Sequence, residues 1–203
     1  MPAWTPPTPS ARRSLPSTDS DFERPGWWDG LSDGRTDGRT AVVVTQGAVE
    51  NGDLSQLVVP TLRALADADV TVVAARPDGS DMVRAAMDGG IPANVRLAGF
   101  VPFGQLLPLA DVLVANAGYG GVRTALRHGL PLVVGGETED KPEAAARVEW
   151  SGTGVNLRTA CPEASAVDEV LGDPRYRKRA SETQGQFDQY RPFEVIAETV
   201  EQA

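Results

Sequence analysis

From Ala41 onward the chain alternates short runs of β-branched aliphatic residues with segments whose apolar residues recur at helical spacing. Ala41-Val42-Val43-Val44-Thr45 is the first run, and the others are Val70 to Ala75, Val95 to Ala98, Val112 to Ala115, Leu132 to Val134 and Val155 to Leu157. The runs are apolar almost throughout instead of alternating with polar residues, which is the pattern of parallel strands covered on both faces. Leu54, Leu57, Val58, Leu62 and Leu65 predict a helix that Pro60 either kinks or delays. Further helical patterns cover 104–110, 120–128 and 141–151, and two or three more helices follow from Glu163. Strands and helices in this order predict an α/β domain over residues 41–203, with one Rossmann-like, doubly wound parallel sheet of about six strands. Ligands of such sheets bind at the carboxyl ends of the strands. Here those ends are the loops beginning at Gln46, Phe100, Asn116 and Gly135.

The first 40 residues have another texture. Pro, Gly, Ser, Thr and Asp supply 25 of them and no Val or Ile precedes Val42, so little surface is available to offset the entropy of ordering. Residues 1–40 are therefore expected to be largely disordered, most clearly up to about residue 24. Trp27 and Trp28 are the exception, expected to anchor this segment on an apolar surface of the same domain or of a partner. The tandem Asp33-Gly34-Arg35-Thr36 and Asp37-Gly38-Arg39-Thr40 is accounted for by turn chemistry.

Composition removes several function classes. Nineteen basic against 28 acidic residues leave a net charge of −9, which argues against a nucleic-acid binder with its basic footprint. One cysteine, Cys161, cannot form an internal disulfide and points to a reducing compartment, hence the cytoplasm. One histidine and one cysteine argue against a zinc site of the usual kind. No apolar run approaches the roughly 20 residues that span a bilayer.

The candidate site centres on Asn116-Ala117-Gly118-Tyr119-Gly120-Gly121, which follows the fourth strand and opens a helix. Glycines let backbone approach a ligand closely, and the unpaired N–H groups of a helix start favour an anion such as a diphosphate. The pattern alone is equally that of a structural turn. Gly118-x-Gly120 lacks the third glycine of a dinucleotide fingerprint, and no P-loop is present.

The surrounding residues carry more information. Phe100-Val101-Pro102, Leu106-Leu107-Pro108, Ala110-Asp111, the glycine-rich turn, Ala125-Leu126, His128-Gly129-Leu130-Pro131 and Glu139-Asp140-Lys141 follow in that order. This run resembles the donor-sugar signature of inverting GT-B glycosyltransferases of family 1, macrolide-type bacterial enzymes among them. The resemblance extends over about residues 21–203, including the lead-in Asp21-Phe22-Glu23-Arg24-Pro25 and Trp27-Trp28. It implies that Phe100 and Val101 sit beside the base and that the turn holds the diphosphate. The loop starting at Gln46 and Gly47 would complete the pocket. An acidic residue 24 positions beyond the start of the turn would hold the sugar hydroxyls, which is the separation of Asp140 from Asn116.

Some positions depart from the family. Its phosphate-contacting histidine is Asn116, which donates a neutral hydrogen bond only. Its second turn glycine is Ala117, whose methyl group calls for a conventional backbone conformation, its turn hydroxyl is Gly121, its ribose-gripping glutamate is Thr124 and its final glutamine is Lys141. Lys141 is a cation able to reach a phosphate or a sugar oxygen. These changes leave the identity of the nucleobase open.

Each candidate also has a structural reading. Phe100 is a core aromatic or a stacking platform. Asp140, followed by Pro142 and Glu143, is a helix N-cap or a sugar ligand. Glu139 and Lys141 are a solvated pair or site residues. His128, the only histidine, precedes Gly129 at a helix end and reads as a C-terminal cap, not a catalytic base. Arg175, Arg177, Lys178 and Arg179 read as a solvated helix face. Cys161 before Pro162 has no activating partner in the sequence.

The resemblance implies a chain that binds a nucleotide diphosphate sugar, UDP- or dTDP-linked, as substrate, without metal or other cofactor. It implies hexosyl transfer to an acceptor hydroxyl. Acceptor binding and the base belong to a preceding domain in that family, and only about 40 residues precede the first strand here. The chain is therefore expected to need a separate acceptor half or to self-associate, and to be inactive alone. A donor subunit of a two-chain transferase and a non-catalytic nucleotide-sugar binder are the alternatives.

Overall fold

The computed structural model describes residues 22–32, 40–47, 53–75, 80–158, 164–189 and 200. Six strands form one sheet: β1 (Thr40–Thr45), β2 (Val70–Ala75), β3 (Val95–Ala98), β4 (Val112–Ala115), β5 (Leu132–Val134) and β6 (Gly154–Asn156). Their spatial order is β3-β2-β1-β4-β5-β6, and every pairing is parallel. The expected Rossmann-like sheet is thus present, with its topological switch between β1 and β4. Thr45 pairs with Ala115 at the carboxyl ends of those two strands. A crevice therefore opens where the chain turns outward in opposite directions.

Successive strand residues face opposite layers, which is why the runs are apolar at every position. Val43 packs into one core and its neighbours Val42 and Val44 into the other. The helices α2 (Val58–Ala64), α3 (Asp81–Ala86) and α7 (Ala164–Gly172) cover one face with Leu62, Val83 and Val167. The other face is covered by α1 (Trp28–Ser32), α4 (Phe103–Leu106), α5 (Tyr119–Arg127) and α6 (Lys141–Ser151). The long helix α8 (Pro174–Gln189) lies against α5, where Gln184 Nε2 donates to Arg127 O at 3.1 Å.

The structure decides between some of these alternatives and corrects other expectations. The packed body reaches back beyond residue 41 to Phe22. Trp28 is 1% exposed within the core, with Phe22 at 5.2 Å and the Arg24 guanidinium 5.9 Å from its ring. Trp27 and Trp28 thus anchor on this chain's own core, one of the two surfaces expected for them. The first helix starts late, at Val58, so that Pro60 falls in its first turn, where no i−4 partner is lost. The pattern at 104–110 divides into α4 and a 3₁₀ turn over Leu107–Leu109, with Pro108 at the junction. Helix α3 was not foreseen. Residues 1–21, most of the Asp33–Thr40 duplication, Cys161 and the chain beyond 189 (Val200 excepted) lie outside the described residues.

Candidate functional site

Thr45 ends β1 and Ala115 ends β4, and the two loops leaving them are tied together. Asn116 Nδ2 donates to Gln46 O at 2.6 Å, and Asn116 Oδ1 accepts from Gly118 N at 3.2 Å. One amide side chain thereby bridges the switch point and shapes the turn. Ala117 is held at φ 61°, with its methyl group fully buried. That left-handed conformation, usually left to glycine, replaces the conventional one expected for an alanine. Gly47, at φ 81°, faces the same amide, since a Cβ there would lie 3.7 Å from Asn116 Nδ2.

Gly118 is the N-cap of α5 and supplies no capping side chain. The amides of Tyr119, Gly120 and Gly121 have no acceptor within the helix. Apart from the chain neighbours and the helix's own backbone, no described atom lies within 4 Å of where a Cβ of Gly120 or Gly121 would be, so these glycines leave open space at the helix mouth. Tyr119 is exposed there. Thr124 turns its hydroxyl back onto Gly120 O at 2.8 Å.

Phe100 follows β3 with half its surface exposed, and Val101 beneath it is buried. On the opposite side, the loop between β5 and α6 brings Glu139, Asp140 and Lys141. Asp140 precedes α6 in helical conformation and makes no side-chain capping bond, contrary to the capping expectation. Its exposed carboxylate is left for solvent or ligand. Lys141 is buried, with Nζ 2.8 Å from Glu139 Oε2 and 3.0 Å from Thr138 Oγ1.

These loops enclose a cavity of about 530 Å³ at the carboxyl ends of the strands. Its wall includes Gly47 from the β1 loop, Phe100 and Val101 after β3, Asn116, Gly118, Tyr119, Gly120, Gly121 and Thr124 after β4, and Glu139, Asp140 and Lys141 after β5. The size suits a substrate-sized ligand. Gln46 is the exception. Its side chain turns inward, donating from Nε2 to Asp53 O at 2.7 Å, with Oε1 buried and unpartnered. Only its carbonyl serves the site, through Asn116.

Pro102 of the quoted signature also lines the wall, as does Phe103, which the sequence reading does not single out. Gly136 was missed as well. A Cβ there would sit 2.5 Å from Asn116 O and 2.9 Å from Lys141 Cβ, so only glycine lets the two loops approach. Its place in Gly135-Gly136 straight after a strand was the available signal.

His128 stands at the far end of α5 as its C-cap and does not line the cavity. The basic cluster on α8 is occupied by ion pairs. Arg175 pairs with Asp173, Arg179 with Glu182 at 2.7 Å, and Arg177 donates to Asp111 O at 2.7 Å. Among the described residues no helix is long and apolar enough to cross a membrane, and no group of three or more His, Cys, Asp or Glu residues is arranged to hold a metal.

Residues 59–202 match the family described as Erythromycin biosynthesis protein CIII-like, C-terminal domain. The chain is 44% identical over 185 residues to 4'-demethylrebeccamycin synthase of Lentzea aerocolonigenes, covering 89% of this chain and 41% of that protein. It is 39% identical over 184 residues to UDP-glycosyltransferase 2 of Phaeomoniella chlamydospora, covering 88% of this chain and 39% of that protein. The structure of the glycosyltransferase VinC in complex with dTDP superposes with a TM-score of 0.67 and 26% identity, over 80% of this chain and 41% of that one. The chain thus spans about two fifths of the length of the relatives it matches. By its sheet, its turn and these likenesses, the chain belongs to the erythromycin CIII-like C-terminal domain family of the GT-B glycosyltransferases.

Proposed function

We propose that this chain is the donor-binding domain of an inverting glycosyltransferase that transfers a hexose from a UDP- or dTDP-sugar to an acceptor hydroxyl. The observation that carries the reading is the convergence of four strand-end loops on one cavity, walled by the residues of the donor signature. The exposed face of Phe100 offers a platform for the base. The first-turn amides of α5 point donors at a diphosphate. The Asp140 carboxylate, free of a capping role, accepts hydrogen bonds from sugar hydroxyls. The nucleotides named with relatives, UDP in one and dTDP in another, favour pyrimidine donors.

In the transfer, an acceptor oxygen forms a bond to the anomeric carbon while the bond from that carbon to the diphosphate oxygen breaks. The electron pair leaves with the diphosphate, where helix amides stabilise it, and the acceptor proton goes to a base. In this reading the base belongs to an acceptor-binding domain, as the family resemblance implies. The reaction is set in the cytoplasm, in keeping with a single cysteine.

Calorimetric titration with UDP-, dTDP- and GDP-sugars tests the reading. UDP- or dTDP-sugars bind, and both Asp140→Ala and Gly118→Val weaken them. Failure of every donor at millimolar concentration, or unchanged binding in both variants, rejects it.

A further inference from the structure

Lys141 is the only cation among the described residues lining the cavity, in a chain with a net charge of −9. Its position is electrostatically unfavourable. It is the first residue of α6, where the helix presents its positive end, and its side chain is only 9% exposed. A buried ammonium needs a counter-charge. Glu139 supplies it at 2.8 Å, from a backbone φ of 60° that residues with a side chain seldom adopt. Glu139 itself stays half exposed at the mouth of the cavity. The ion pair therefore has one fixed member and one able to leave.

The stem of Lys141 lies against Gly136, whose other side faces the start of the glycine turn. Lys141 Cβ and Asn116 O flank Gly136 so tightly that a Cβ there would be 2.9 Å from the first and 2.5 Å from the second. The Lys141 side chain is thus rooted across Gly136 from the backbone that leads into the amides of α5. Asp140 is its sequence neighbour, and an acidic sugar at that end would meet a carboxylate. Both facts favour a phosphate over a sugar carboxylate as the partner of Lys141.

We propose that Lys141 reads the charge of the donor's diphosphate and that Glu139 is an internal counter-ion which the diphosphate displaces. The exchange keeps the ammonium ion-paired throughout, so it is never buried alone. It rests on the donor reading above and adds to it which residue carries the charge and what must move. Emptying the cavity restores the Glu139 pair, which makes release of the nucleoside diphosphate easier than a fixed cation would allow.

Titration of the full chain with UDP and dTDP, and in parallel with uridine and thymidine, separates charge from shape. Lys141→Gln lowers affinity for the diphosphates tenfold or more and leaves the nucleosides within twofold. Lys141→Arg, which keeps the charge, retains diphosphate affinity within a few-fold. Glu139→Gln raises diphosphate affinity several-fold, because the resident competitor is gone. Circular dichroism and thermal midpoints establish that each variant is folded. Equal losses for nucleosides and diphosphates in Lys141→Gln, or unchanged diphosphate binding in either Lys141→Gln or Glu139→Gln, overturn the exchange while leaving the donor reading in place. Absence of all nucleotide binding by the unaltered chain overturns both.

Discussion

Glycines that make room for the protein and glycines that make room for something else occur within twenty residues of each other. At Gly136 a Cβ would lie 2.5 Å from Asn116 O, a backbone atom that cannot swing away. Gly136→Ala should therefore cost about 1–3 kcal/mol of stability, as overpacking does, and pull the β5 loop off the turn. At Gly121 a Cβ would meet nothing within 4 Å, and the residue is in the first turn of a helix. Gly121→Leu should leave the thermal midpoint unchanged or raise it, since leucine favours a helix by up to about 1 kcal/mol over glycine. It should nonetheless cut nucleotide affinity at least tenfold by filling the helix mouth. Paired thermal melts and calorimetry check both; a Gly121→Leu variant with normal affinity would mean the mouth is not where nucleotide sits. Far from the cavity, Tyr176 donates to Glu169 Oε1 at 2.5 Å, and that hydrogen bond, with partial burial, pushes its phenol from the ordinary 10.0 up to about 12. A group whose folded value is raised stabilises the fold fully below its unfolded value, and that contribution is lost as pH rises from 10.0 towards about 12. Tyr176→Phe should remove this part of the alkaline loss, as read from denaturant midpoints measured across the same window.

Strands were legible because their runs are apolar on both faces, a pattern that surface helices do not share. Each run from Ala41 to the one starting at Val155 corresponds to a strand within about one residue. Helix α3 escaped notice because it is six residues long and buries Val83 alone, too little for a period to register. The division at Pro108 and the late start at Val58 are local decisions that a proline permits but does not dictate. Chemical types at the site were legible too, whereas their use was not. Gln46 and Asn116 are 70 residues apart, and their bond exists only because β1 and β4 are sheet neighbours. Nor does a lysine beside two acids announce that it is buried. At the sheet edge, Gly154 in β6 is the strictest case of close approach. A Cβ there would lie 2.0 Å from Leu132 O on β5 and 2.9 Å from Val148 Cγ1 on α6. Gly154→Ala should detach β6 and lower stability by about 2–3 kcal/mol, with the loss of hydrogen-exchange protection confined mainly to β6 and the end of α6. Protection lost evenly over all six strands would show that β6 is not a separable edge.

The molecule as a whole is a two-faced sheet whose second layer is closed by a segment that composition marks as poor in core-forming residues. Residues 22–32 contribute one deeply buried side chain, Trp28, to the face that also carries α5 and α6. Phe22 and Trp27 pack against that cluster from outside, and Leu31 joins it one helical turn after Trp28. Composition failed here because it averages over a window, while a single tryptophan can bury as much apolar surface as several smaller residues. If Trp28 is the pin, Trp28→Ala should cost about 3–5 kcal/mol, the usual range for emptying a large aromatic site. For a body of this size, each kcal/mol shifts the midpoint by about 2–4 °C, so a fall on the order of 10 °C is expected. Removing residues 1–32 altogether should cost little more than the point change, because Leu31 is the only other buried side chain among the described residues of this segment. Both variants should lose nucleotide affinity less than stability, since among the described residues the cavity wall contains none before Thr45. Differential scanning calorimetry of the two variants, with and without UDP, checks this. A deletion far more costly than Trp28→Ala would shift the weight to Phe22 and Leu31, and a deletion that costs nothing would refute the anchor.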